Sequence, residues 1–140
     1  MDSATFQQRV SDILGVPVQN GKWRITMASG TAAELKRLLP RIRQQQKELR
    51  QLKAEVTSDI RSLRAQYDAK AATVQPSAMS ILGGKGFFKQ RVAAERRNIK
   101  ASRDRATAAM ESMKATIDDL LIQLDRVKLN IADEIAFQEA

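Results

Sequence analysis

The sequence contains no cysteine and no histidine, and proline, glycine and aromatic residues are all scarce. The missing residue types exclude disulfides, zinc sites built from cysteine and histidine, and catalysis by a cysteine or a histidine. With only 3 prolines, 6 glycines and 4% aromatic residues, the chain has few turn formers and few large core side chains. We therefore expect a non-enzymatic protein with no catalytic residue, no cofactor, no metal site and no small-molecule substrate.

Long apolar runs are also missing from the sequence. No stretch approaches the ~20 apolar residues of a membrane-spanning helix, and residues 1–5 lack the basic start and apolar run of a signal peptide. The absence of cysteine is compatible with a reducing compartment. From these features we expect a soluble, cytoplasmic protein.

Positive charge is in excess, with a formal net charge of +8. Residues 31–57 carry seven basic and three acidic side chains, residues 58–106 carry eleven and four, and residues 107–140 carry three and seven. A strongly basic stretch indicates an anionic partner, whatever the fold. The opposite net charges of 31–57 and 107–140 predict that these two stretches lie side by side.

Residues 1–30 are predicted to form a small cap that begins with a helix. Asp2 or Ser3 can cap this helix, and Gly15 can end it. Its apolar positions recur at helical spacing and define one face. These positions are Phe6, Val10, Ile13 and Leu14.

The second part of the cap is predicted to be a β-hairpin. Asn20-Gly21 is a strong hairpin signal, because both central residues of a type I′ turn need a positive φ. Pro17 demotes the first strand to an edge, since it cannot donate a backbone hydrogen bond. Apolar residues alternate on both sides of the turn: Val16 and Val18, then Trp23, Ile25 and Met27.

A first long helix is predicted over residues 31–74, and Thr31 and Glu34 match a capping box at its start. Pro40 removes one helical hydrogen bond, so we expect a kink there or a restart of the helix. The apolar stripe of this helix is Leu35, Leu38 or Leu39, Ile42, Leu49, Leu52, Val56, Ile60, Leu63 and Tyr67.

A flexible corner is predicted at 75–86, where Pro76 and three glycines interrupt the pattern. The second long helix, predicted over 87–138, carries a sustained heptad, which is typical of a coiled-coil seam. One set of seam positions is Val92, Ile99, Ala106, Met113, Leu120 and Val127, and the other is Met110, Ile117, Leu124 and Ile131. The predicted fold class is mainly α: a long antiparallel coiled-coil helical hairpin with the small N-terminal helix plus β-hairpin cap.

The short corner predicts that residues whose numbers add to about 160 face each other across the hairpin. Leu63 would then face Ile99, and Leu35 would face Leu124. The second helix would outrun the first and cover the cap at the base of the hairpin. The covering residues would be Ile131, Ile135 and Phe137.

The candidate functional residues are at the corner end of the hairpin. Its basic side chains are candidates for binding an anionic partner, because guanidinium and ammonium groups bind phosphate. They are Arg61, Arg64, Lys70, Lys85, Lys89, Arg91, Arg96, Arg97, Lys100 and Arg103. An apolar tip at the same end could enter a lipid interface or a protein groove, or fold over the helix ends. It consists of Met79, Ile81, Leu82, Phe87 and Phe88.

Two further patterns do not predict a site. Residues 83–86 read Gly-Gly-Lys-Gly, but Phe87 follows and no strand precedes, so the spacing of a phosphate-binding P-loop is missing and a hinge is expected. The carboxylates in the second helix lack a partner motif and are expected to be solvated. They are Glu95, Asp104, Asp118 and Asp119.

The leading hypothesis is a non-enzymatic coiled-coil interaction protein whose basic end binds an anionic partner, with nucleic acid as the first choice. The first alternative is a scaffold that forms a homodimer, such as a four-helix bundle, or binds another protein. Leu121 and Ile135, which lie outside the seam, favour such an additional surface. The second alternative is a peripheral membrane adaptor that uses the apolar and basic corner on an anionic membrane surface.

Overall fold

The structure, a computed structural model, describes the backbone of residues 1–74 and 84–140 and the side chains of residues 1–74 and 89–140. The described residues form three helices, α1 (Ser3–Leu14), α2 (Ala32–Ala72) and α3 (Gly84–Glu139), and they contain no strand. Helices α2 and α3 pack as a helical hairpin. The mainly helical fold class is therefore confirmed.

Side-chain and glycine caps fix the ends of α1 and the start of α2. The N–H of Thr5 donates to the Asp2 carboxylate at 2.7 Å, and this bond holds the pKa of Asp2 below its ordinary value of 3.8. Gly15 ends α1 with a φ of 70°, which costs glycine little because it has no Cβ. The N–H of Glu34 donates to the Thr31 hydroxyl at 3.3 Å, which is one half of the predicted capping box.

Helix α2 continues across Pro40. Because proline has no N–H, the carbonyl of Lys36 has no helical hydrogen-bond partner at this position. Because α2 is one continuous helix from Ala32 to Ala72, it does not restart at Pro40.

The predicted β-hairpin is wrong, although its turn is present. Asn20 and Gly21 have φ angles of 53° and 74°, and Gln19 and Lys22 exchange backbone hydrogen bonds of 2.8 and 3.0 Å. This single bridge is not extended into strands. The next hydrogen-bonded pair would join Pro17 to Arg24, and Pro17 has no N–H to donate.

Trp23 packs against α1. Its ring meets Phe6 edge to face, with ring centroids 6.2 Å apart, and its indole N–H donates to the Ser11 hydroxyl at 3.0 Å. Phe137, which was expected to cover this region, is 79% exposed. An aromatic pair and a satisfied indole N–H therefore hold the segment after α1.

The chain divides into two compact units. Unit 1 contains Met1–Val56 and Ser112–Ala140, and unit 2 contains Thr57–Glu111.

In unit 1, α1 lies antiparallel along the flank of α2. Arg9 forms a two-pronged ion pair with Glu55, at 2.5 and 3.0 Å, and the Gln45 side chain donates to the carbonyl of Leu14. Leu52 lies on the same face of α2 as Glu55 and is fully buried. The cap therefore covers the side of the hairpin, and its predicted position at the base is wrong.

The rest of the unit 1 core is the seam between α2 and α3. Every predicted seam residue of α3 from Met113 to Ile131 is buried, so the heptad phase is correct in unit 1. The buried seam residues are Leu35, Ile42, Leu49 and Val56 on α2, and Met113, Ile117, Leu120, Leu124, Val127 and Ile131 on α3.

One polar side chain, Gln46, occupies the unit 1 seam and is 1% exposed. Its amide N–H donates to Asp125 at 2.7 Å, and its amide oxygen accepts from Lys128 at 3.0 Å. Both polar ends of the buried side chain are therefore satisfied. A buried polar residue of this kind favours one register over its neighbours, because a shift would leave it unpaired.

The register itself differs from the prediction. In unit 1, Gln46 contacts Asp125 and Lys36 contacts Glu139, so the residue numbers of facing residues add to 171–175 and not to about 160. In unit 2, Arg103 contacts Asp68 and Arg64 contacts Glu111, which gives the same range. The predicted value took the middle of 75–86 as the centre of the hairpin, whereas these contacts are centred near residue 86.

Unit 2 is a two-helix seam with less burial than unit 1. Among its described residues, Ile60, Thr107 and Met110 are buried, whereas the seam residues Leu63 and Ile99 are only half-buried. The hydroxyl of Thr107 donates to the carbonyl of Arg103 within α3.

Candidate anion-binding site

The candidate site begins where the apolar heptad of α3 becomes basic. The seam position that holds Leu124, Ile117 and Met110 holds arginine and lysine in the three preceding heptads. These residues are Arg103, Arg96 and Lys89. Three cations therefore follow one line along α3, at the position that elsewhere faces α2.

The first of these cations, Arg103, is neutralised within the chain. Its guanidinium contacts Asp68 at 2.9 Å and Asp104 at 3.3 Å. The hydrogen bond with Asp68 and then that with Asp104 raise the pKa of Arg103 above its ordinary value. The long aliphatic part of an arginine tolerates a half-buried seam position, and the side chain is 23% exposed. We therefore assign Arg103 to holding the two helices together.

Several other predicted residues also have partners. Arg64 pairs with Glu111 at 3.1 Å, and Arg91 pairs with Glu95 at 3.6 Å. Lys70 lies over the Tyr67 ring, with its nitrogen 5.8 Å from the ring centroid.

Arg97 and Arg61 lie away from the seam. The Arg97 Nε–H donates to the carbonyl of Ala93 at 3.3 Å, and Arg61 is exposed on the outer side of α2. The structure therefore does not gather the predicted basic residues into one patch.

Three predicted residues do share one exposed face of α3. We call Lys89, Arg96 and Lys100 the basic face. All three are exposed, and among the residues that the structure describes none of them forms an ion pair. At 1.5 Å per residue, Lys89 and Arg96 are about 10 Å apart along the helix and Arg96 and Lys100 about 6 Å apart.

The basic face lies largely beyond the described end of α2. Thr73 and Val74, at the end of the described segment, line an open groove of about 380 Å³ together with Asn98 and Ile99. Lys89 and Arg96 precede Asn98 in α3, so they lie on the N-terminal side of this groove. The described residues of α2 therefore do not cover the face that carries these two cations.

The remaining predicted residues lie outside the described side chains. Lys85, Phe87 and Phe88 fall within α3, but only their backbone is described. Met79, Ile81 and Leu82 fall in the segment 75–83, which lies outside the described residues. The predicted apolar tip therefore stays a prediction.

Unit 1 also exposes apolar residues that were not predicted from the sequence. Leu121 and Ile135, which were singled out as surface positions, are half-buried. Ile122 and Leu129 are instead 52% and 66% exposed. A detectable signal was present, because these two residues share the heptad position farthest from the seam.

Neither a metal site nor a membrane span emerges from the described residues. They contain no cluster of three or more acidic side chains that could hold a metal ion, and none of their helices is long and apolar enough to cross a bilayer. Comparison with protein-family models, with curated proteins and with solved structures finds no match.

Proposed function

We propose that this chain is a non-enzymatic helical interaction protein whose basic face binds the phosphate backbone of nucleic acid. The observation that carries the proposal is the alignment of Lys89, Arg96 and Lys100 on one exposed face, without carboxylate partners in the described part of the chain. Cations that are already paired must break an ion pair before they contact phosphate. Unpaired cations on a rigid helix bind without that cost.

The chemistry of the basic face favours a polyanion over a lipid surface. On this side of α3, the apolar residues between its cations are Val92, Ala93 and Ile99. Val92 and Ile99 are half-buried and Ala93 offers only a methyl group, so little apolar surface is left to enter a lipid interface. The described part of the face has no aromatic side chain for base stacking. Binding should therefore depend on phosphates and not on base sequence.

Fluorescence anisotropy with labelled DNA duplexes of two unrelated sequences tests the proposal. Neutralising about three phosphates predicts a log–log salt slope near −3, similar for both duplexes. The triple variant Lys89→Gln, Arg96→Gln, Lys100→Gln should bring this slope close to zero. Its helical circular dichroism should be retained, because all three side chains are exposed.

A matched control removes the same charge from unit 1. The triple variant Arg37→Gln, Arg41→Gln, Lys47→Gln replaces three exposed cations of α2 and should keep most of the slope. Equal losses in the two triple variants would show that net charge alone drives binding. Binding to phosphatidylserine vesicles without binding to either duplex, or no binding at low salt, would overturn the proposal.

A further inference from the structure

A second apolar stripe runs along α3 on the side opposite its seam. Every seventh residue from 94 to 136 is apolar and exposed. This outer stripe consists of Ala94, Ala101, Ala108, Ala115, Ile122, Leu129 and Ala136. The position farthest from the seam of a helical hairpin normally carries polar residues. An apolar residue at this position in seven successive heptads therefore requires an explanation.

The large side chains of the outer stripe lie toward its C-terminal end, where only Ala136 follows them. Ile122 and Leu129 are 52% and 66% exposed, and Leu129 borders an open groove of about 490 Å³ that also reaches Leu39 and Ala132. The four positions from Ala94 to Ala115 carry only methyl groups. Large side chains toward one end and small ones toward the other are complementary if a second stripe runs in the opposite direction.

The charges beside the stripe are mainly positive near its small side chains and mainly negative near its large ones. The flanking positions near the small side chains include Arg97 and Arg105, and those near the large side chains include Asp119, Asp125 and Asp133. Arg105 is exposed, and within the described part of the chain its guanidinium bonds only to the Ser102 hydroxyl, at 3.4 Å. The basic flank of one stripe therefore matches the acidic flank of an antiparallel stripe.

We propose that the outer stripe is the contact surface for a second copy of this chain, with the two α3 helices antiparallel. One register places Ile122 on Ala101 of the second copy and Leu129 on its Ala94. The same register places Arg105 beside Asp119 and Arg97 beside Asp125. The contact is isologous, because each copy supplies the same surface.

The like charges that this register brings together already have partners in their own chain. Asp104 would approach Asp118 of the other copy, but Asp104 is paired with Arg103 and Asp118 with Lys53. Glu111 of one copy would approach Glu111 of the other at the two-fold axis, but each is paired with Arg64 of its own chain. The basic face lies on the other side of α3, so this inference does not rest on the proposed function.

Sedimentation velocity over a range of micromolar concentrations tests the proposal. The wild-type chain should form a dimer, and Ile122→Glu or Leu129→Glu should weaken dimerisation at least about tenfold, because each buries a charge in the contact. Asn130→Glu adds the same charge to an exposed position beside the stripe and should leave the dimer intact. A monomeric wild type, or a dimer that survives both stripe variants, would overturn the proposal.

Two further arms test the register. Arg105→Asp and Asp119→Arg should each weaken the dimer, and the double variant should restore it. The chain has no cysteine, so Ser112→Cys should crosslink two copies across the two-fold axis, whereas Ala94→Cys, which would face Leu129, should not. Efficient crosslinking through position 94 would contradict the antiparallel register.

Discussion

Unit 1 and unit 2 both contain parts of α2 and α3, but they bury their side chains to different extents. In unit 1, α1 covers a second face of α2, where Leu52 is fully buried. The equivalent positions one and two heptads later, in unit 2, are Asp59 and Gln66. The apolar face of a helix is thus wide where a third helix covers it and narrow where it meets one partner.

The polar residues of the two seams differ in the same way. Gln46 in unit 1 is buried and its amide nitrogen and oxygen each form a hydrogen bond, whereas Arg103 in unit 2 is half-buried and ion-paired. Toward the start of α3 the seam position becomes Arg96 and then Lys89. Unit 1 therefore contributes most of the packed core, and unit 2 presents charged side chains.

The largest expected effect compares two leucines at the same heptad position of α2. Leu49→Ala in unit 1 should cost about 2–5 kcal/mol of unfolding free energy, because Leu49 is fully buried. Leu63→Ala in unit 2 should cost about half as much or less, because Leu63 is only half-buried. Chemical denaturation followed by circular dichroism measures both values. Equal costs would contradict the difference in packing between the two units.

A smaller effect is expected at the polar seam residue of unit 1. Gln46→Ala should cost about 1–3 kcal/mol, because it removes two hydrogen bonds from a buried site. Gln46→Leu should be neutral or stabilising, since an apolar side chain fills the seam while Asp125 and Lys128 still pair with each other at 3.7 Å. If both variants are destabilised equally, the stability depends on something other than the hydrogen bonds.

The ion pairs between α2 and α3 should contribute little in either unit. Lys53 and Asp118 are 2.6 Å apart in unit 1, Arg64 and Glu111 are 3.1 Å apart in unit 2, and all four side chains are partly exposed. Double-mutant cycles should give coupling energies of about 0.2–1 kcal/mol for both pairs. A coupling well above this range in one unit would mean that charge, and not packing, separates the two units.

The smallest effect is local to α1, which belongs to unit 1 alone. The pKa of Asp2 lies below its ordinary value of 3.8 because its carboxylate accepts the Thr5 N–H. Its contribution to stability is therefore present above the ordinary value and lost as the pH falls through the lowered pKa. The Thr5 amide resonance should titrate with a midpoint below 3.8 and should lose this titration in Asp2→Asn. A midpoint at or above 3.8 would contradict the cap.

The heptad phase could be predicted from the sequence because burial of one helix face depends on local periodicity. The hairpin register could not be derived in the same way, because seam positions repeat every seventh residue and a shift by two heptads keeps apolar residues opposite each other. The prediction that Leu35 faces Leu124 differs from the observed register by about this amount. Gln46 with Asp125 and Lys128 now supplies a specific pairing that the apolar pattern lacked.

The region of the candidate site could be predicted from the sequence, but which of its cations form ion pairs within the chain could not. Arg103 and Arg96 occupy the same heptad position, and nothing in their local sequence separates them. Asp68 lies opposite Arg103 only in the observed register, so its ion pair depends on the long-range pairing of α2 and α3. The β-hairpin failed for a local reason, because Pro17 outweighs a favourable Asn-Gly turn.

The antiparallel register also bears on the order in which the chain folds. Arg103 and Asp68 are 35 residues apart in sequence, whereas Lys36 and Glu139 are 103 apart. Closing the longer loop first would cost about 1 kcal/mol more in chain entropy. The first helix–helix contacts should therefore form in unit 2, the less buried unit, and pairing should then extend toward the termini. In stopped-flow experiments, Leu63→Ala should mainly slow folding and Leu49→Ala should mainly speed unfolding, and the reverse assignment would contradict this order.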